Sequence, residues 1–92
     1  MDKKPQELEV RRFLSYLEYR DCERGVTYPA DIVFVTNPRN GAEAQVPIAR
    51  AMITADMMYW VCLELGVNMP DEFNAYQQMM DAAKPAGFDF KR

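Results

Sequence analysis

Between Ile48 and Leu65 only Arg50, Thr54, Asp56 and Glu64 are polar, so whatever this segment forms must be covered on most of its sides. Read as one helix from Pro47 to the stop at Gly66, it carries two apolar faces at about 100° per residue. Ile48, Met52, Ala55, Tyr59, Cys62 and Leu63 make one stripe; Ile53, Met57, Trp60 and Val61 make a second on the opposite side. The rest of a small domain accounts for the first face, with Met52 and Cys62 in its core. The second face needs the same domain wrapped around it or another molecule.

The rest of the domain is limited by size: 92 residues suit one domain over 1–92 with a modest core, and residues 1–4 and 86–92 are candidate flexible tails. Apolar residues at 49% and charged residues at 27% are values of a folded globular chain. The net charge of -3 repels a nucleic-acid backbone on average and favours a protein partner. Cys22 and Cys62 each lie on a stretch that reads as helix, which favours two buried free thiols over a disulfide. The start, Met1-Asp2-Lys3-Lys4-Pro5, lacks the apolar run of a secretory signal. No apolar run reaches the roughly 18 residues of a membrane span. A cytoplasmic location is therefore expected.

Around the central helix the elements fall in the order α-β-β-α-α. Pro5 fits the first turn of an opening helix in which Val10, Phe13, Leu14 and Leu17 make one buried stripe from Leu8 to Arg24, with Gly25 as a left-handed stop. Glu7 and Arg11 are spaced to pair on its solvated side. Val26 to Ala30 reads as a connector. Asp31 to Thr36 is the best strand, since Ile32 to Thr36 are all β-formers, and Asn37-Pro38-Arg39-Asn40-Gly41 reads as a hairpin turn with a bulge, returning through Ala42 to Val46. Beyond Gly66, Asn68 is placed to cap a third helix with Pro70 in its first turn and a stripe of Phe73, Tyr76, Met80 and Ala83, closed by Lys84-Pro85. Phe88 and Phe90 are spaced either for a docked extended tail or for a frayed end.

The chain contains no histidine, which removes the commonest general base at neutral pH, the Ser-His and Cys-His nucleophile systems, and most zinc sites. Two cysteines cannot make a four-cysteine zinc site, and four glycines form no phosphate-binding fingerprint. Carboxylate pairs such as Glu64 with Asp71 or Asp31 with Glu43 remain open for acid/base work or a hard metal, although helix ends and hairpins place acids at such positions without any chemistry. Asp56, within the apolar helix, is either an ion-pair partner of an arginine of the first helix, a residue at the core rim, a polar determinant of an interface, or a functional acid. The methionines of the central and third helices serve as core filler or as an adaptable binding surface. Trp60 is either exposed as a partner's anchor or buried under the third helix.

Those exclusions favour an α+β single domain with a non-enzymatic role: a β-hairpin packed with an apolar central helix and two amphipathic helices, without a cofactor or a metal. The expected function is that of a small regulatory or inhibitory protein that occupies a surface on a larger protein, in the manner of small binders encoded by phages and mobile elements. A homodimer is a second option for the same surface. The expected contact residues are Arg39 at the hairpin tip and Ile53, Met57 and Trp60 on the second face. The alternative is a nucleic-acid-binding accessory protein using Arg11, Arg12, Arg20, Arg24 and Arg39. Interleaved acids Glu9, Glu18, Asp21 and Glu23 count against it, as do Asp71 and Glu72 opening the only helix that could serve as a recognition helix.

Overall fold

A computed structural model describes residues 6–28 and 31–83 of the chain. In order these form β1 (Glu7–Glu9), α1 (Val10–Tyr19), β2 (Glu23–Tyr28), β3 (Ile32–Asn37), β4 (Ala42–Pro47), β5 (Met52–Thr54), α2 (Ala55–Leu65), a 3-10 turn (Asp71–Phe73) and α3 (Asn74–Ala83). β2, β3 and β4 make an antiparallel meander, and β1 pairs antiparallel with β5 in a second, two-stranded sheet. The class is α+β. The helices and the β3–β4 hairpin keep the expected order, with three further strands around them.

α1 is the predicted stripe in shortened form: Val10, Phe13, Leu14 and Leu17 are its buried residues. Each contributes about 1.5–3 kcal/mol of apolar burial. Both predicted ends of this helix are displaced. Leu8 is buried from β1, where Glu7-Leu8-Glu9 alternates out, in, out, and Leu8 sits opposite Ile53. A residue at this spacing reaches the core from either a helix or a strand, and pairing with β5 decides between them. The helix stops at Arg20 rather than Gly25 because Asp21 takes a left-handed conformation (φ 70°). The Asp21 and Cys22 N–H groups then bond the Glu18 and Leu17 carbonyls, each at 2.9 Å, which is a Schellman closure made with Asp in place of Gly. Gly25 lies instead in β2, beside a register shift between Arg24 and Thr27. A Cβ there would stand 3.2 Å from the Phe34 carbonyl oxygen, so the glycine allows the bulged strand to approach β3. The segment read as a connector from Val26 is thus a strand as far as Tyr28.

The central helix also starts later than its apolar run suggests. The segment 48–51 is loop, Met52–Thr54 is β5, and the helix begins at Ala55. Thr54 ends the strand and starts the helix: its φ of -77° and ψ of 159° are extended, and its Oγ1 accepts from the Met57 N–H at 3.3 Å. The surrounding chain satisfies the preceding backbone. Val10 N–H donates to the Ala51 carbonyl and Ala55 N–H to the Gln6 carbonyl, both at 2.8 Å. Two expectations fall as a result. Met52 is 42% exposed and not a core residue, whereas Ile53, expected on an open second face, is 3% exposed and buried against Leu8.

The inner face of the meander supplies Val33, Val35, Ala42, Ala44 and Val46, on which α1 and α2 pack. The hairpin tip closes over the C-terminal end of α2. Asn37 Nδ2 and Asn40 Nδ2 both donate to the Leu65 carbonyl, at 2.8 and 3.1 Å, and Gly66 (φ 77°) completes a Schellman turn. Cys22 and Cys62 are buried free thiols, as expected. α3 follows the 3-10 turn; Phe73 is buried, Tyr76 and Met80 are half-buried, and Ala83 is exposed, so the predicted stripe is only partly covered. Asn68 does not cap it: Pro70 precedes the 3-10 turn, and the Asn68 side chain accepts from Gln77 Nε2 at 3.0 Å. Pro5, Lys84-Pro85, Phe88 and Phe90, and both candidate tails, lie outside the described residues.

Candidate functional site

α2 turns Met58, Tyr59, Val61, Cys62 and Leu65 into the core, so its remaining side points across the sheet toward β4. On that side Met57 and Trp60 are 41% and 39% exposed, and Glu64 continues the row at i+4 from Trp60. A groove of about 420 Å³ runs between this row and β4, with Phe34, Glu43 and Gln45 on the sheet side. Trp60 packs edge-on to Tyr59 with ring centroids 5.4 Å apart, which fixes its indole at the groove wall.

Among the described residues β4 pairs only with β3 and is an edge strand. Its free side can be read from the register. Ile48 N–H donates to the Asp31 carbonyl at 2.8 Å, so by antiparallel alternation Ala44 and Val46 turn their backbone groups toward β3, while the Ala42 N–H donates to Asn40 Oδ1 at 2.9 Å. The N–H and C=O groups of Glu43 and Gln45, two residues that line the groove, therefore point away from β3 at the free edge. An apolar wall bearing an indole thus runs beside a row of strand donors and acceptors, flanked by the carboxylates of Glu43 and Glu64.

The four predicted contact residues do not come together. Met57 and Trp60 share the groove; Ile53 is buried in β5; Arg39 sits at the hairpin tip, its guanidinium 2.9 Å from Asp21 in an exposed pair. Asp56 is exposed and accepts a hydrogen bond from the Tyr76 hydroxyl, so its partner is a tyrosine of α3 rather than an arginine of α1. The arginines expected on the first helix are also engaged: Arg11 with Glu9 at 3.7 Å, Arg12 with Glu72 at 3.8 Å, Arg24, which lies in β2, with Glu18 at 3.1 Å, and Arg20 with the Tyr16 hydroxyl at 3.0 Å. Glu7, in a strand, is not the partner of Arg11. Sequence reading missed Phe34 and Gln45 and singled out Glu43 only as a carboxylate to pair with Asp31, although the alternation of Glu43 and Gln45 with Ala42, Ala44 and Val46 was a visible signal of their shared outer face.

Neither thiol is poised as a nucleophile. Burial pushes the Cys62 thiol up to about 12 and raises that of Cys22, which keeps both protonated at neutral pH. Tyr59 and Tyr76 are each raised to about 12, first by burial and then by hydrogen bonds to Asp81 and Asp56. Among the described residues no group of three His, Cys, Asp or Glu side chains is placed to hold a metal ion. No helix among them is long and apolar enough to cross a membrane.

No protein-family model matches this chain, and no curated protein or solved structure matches it either.

Proposed function

We propose that the chain is a small non-enzymatic regulatory or inhibitory protein that acts by binding a larger protein through the Trp60 groove. One observation carries this reading: an exposed indole and a methionine lie beside an open strand edge. An extended segment of a partner can add to β4 through the outward N–H and C=O groups of Glu43 and Gln45 while an apolar side chain rests on Trp60 and Met57. Methionine suits such a wall because it repacks around different shapes. The protonated, buried thiols and the absence of histidine support a role without catalysis. The arginine-mediated alternative has less support, because Arg11, Arg12 and Arg24 are each paired with a carboxylate, of Glu9, Glu72 and Glu18.

Two substitutions test the groove by different means. Gln45→Pro removes one outward N–H from β4, and Trp60→Ala removes the wall. A protein partner captured by the wild type should be lost with Gln45→Pro and should bind Trp60→Ala more weakly by about 2 kcal/mol or more. Capture undiminished in both folded variants would overturn the assignment. Titration with mixed DNA and RNA should show no tight binding at moderate salt; a steep log–log salt slope would favour the nucleic-acid alternative.

A further inference from the structure

A second groove, of about 520 Å³, lies between α1, β2 and the loop 48–51 and shares no residue with the Trp60 groove. Val10, Leu14 and Ile48 contribute apolar surface to it, and Arg11, Arg24 and Arg50 bring three guanidinium groups from three separate segments. Glu9 is its one acidic lining residue, so the groove is locally cationic on a chain whose net charge is -3. The three arginines are not equivalent. Arg11 and Arg24 have carboxylate partners, but these pairs are exposed to solvent, and such pairs are weak and readily exchanged for another carboxylate. Arg50 has no ion pair or hydrogen bond among the described residues. Nothing in the core accounts for it: it is exposed in a loop that carries backbone contacts to Val10 of α1 and to Asp31, just before β3, through Ala51 and Ile48.

From this we infer that the Arg50 groove binds an acidic polypeptide segment carrying a bulky apolar side chain. Guanidinium groups match carboxylates in a planar, two-bonded geometry, and three of them spaced around an apolar floor complement acids that flank an aliphatic or aromatic residue. A sugar-phosphate backbone would meet the same arginines but gain nothing from Val10, Leu14 and Ile48, and the acidic chain as a whole repels it. This surface is independent of the Trp60 groove and would be present whether or not that groove binds a partner.

The test is a selection of random 12-residue peptides displayed on phage against the full chain, followed by fluorescence-polarisation titration of the recovered peptides as synthetic probes. Peptides carrying net negative charge and at least one Leu, Ile, Phe or Trp are expected. Their affinity should fall at least tenfold with Arg50→Glu and with Arg11→Glu, both exposed positions whose replacement leaves the melting temperature unchanged. Ala51→Trp, which fills the groove without altering its charge, should have the same effect. Recovery of no acidic consensus, or affinities that ignore all three variants, would overturn the proposal. Arg50-dependent binding of a 20-nucleotide single strand in place of the peptides would transfer the groove to nucleic acid. A concentration-dependent dimer abolished by Arg50→Glu would assign it to a second copy of this chain.

Discussion

α2 and α3 are of nearly equal length, 11 and 10 residues, and pack on each other, yet they are held by different forces. α2 buries six of its residues in the core and has both ends capped: Thr54 Oγ1 at the start, and Asn37, Asn40 and the Gly66 turn at the finish. α3 has no buried residue. It is tethered by polar contacts: Tyr59 hydroxyl to Asp81 at 2.7 Å, Tyr76 hydroxyl to Asp56, and Gln77 to the Met69 N–H at 2.7 Å. Apolar burial is non-directional and sums to many kcal/mol, whereas an individual hydrogen bond contributes about 0.5–1.5 kcal/mol net. The domain therefore has a firm centre and a more weakly attached third helix, and local opening should begin at α3. The Trp60 groove belongs to the firm part, which presents its edge in a fixed geometry.

The largest expected effect tests the firm half directly. Leu65→Asp buries an unpaired carboxylate and should abolish cooperative unfolding, since its cost of several kcal/mol is a large share of a typical total of about 5–15. Met52→Asp, placed in the same apolar run but exposed on β5, should shift stability by no more than about 0.5 kcal/mol in a urea melt. Equal damage from the two would erase the distinction between β5 and α2. A smaller loss is expected at the hairpin–helix junction. Gly66→Ala forces a side chain into φ 77° with its Cβ 2.8 Å from Asn40 Nδ2, for about 1–2 kcal/mol.

The tyrosine tethers give the smallest effects and the sharpest contrast. Tyr59→Phe and Tyr76→Phe should each cost about 1 kcal/mol, read as faster amide exchange across α3 with α2 still protected. Uniform acceleration over both helices would mean that they open as one unit. The same contacts set a pH dependence. Both phenols are raised from 10.0 to about 12 in the folded chain, so their contribution is fully present below pH 10 and is lost as pH rises toward about 12. The wild-type melting temperature should fall from the low-pH to the high-pH side of that window, and fall less in the double Phe variant.

Part of this contrast is legible in the chain itself. The Val10-Phe13-Leu14-Leu17 stripe, the β-branched run opening β3, the Asn37–Gly41 turn, the Gly66 stop and the burial of both cysteines all follow from local pattern and turn chemistry. Met57 and Trp60 could likewise be singled out from their spacing. The Thr54 start of α2 was also written there, as a capping residue with Asp56 in the first turn behind it, but the apolar run leading into it hides the boundary.

Neighbours along the chain are enough to specify one amphipathic helix, one hairpin and one apolar helix with its stop. Everything that depends on distant partners was settled by packing. Leu8 and Ile53 fit a helix as well as a strand, and they became strands because each supplies the other's hydrogen bonds and cover across 45 residues of chain. β2 became a strand because β3 was there to pair with it despite Gly25 and a register shift. The two grooves arose the same way, one from α2 meeting the edge of β4 and the other from Arg11, Arg24 and Arg50 converging from three segments. A strand or a surface owes its stability to contacts made after folding, which no window of neighbouring residues contains.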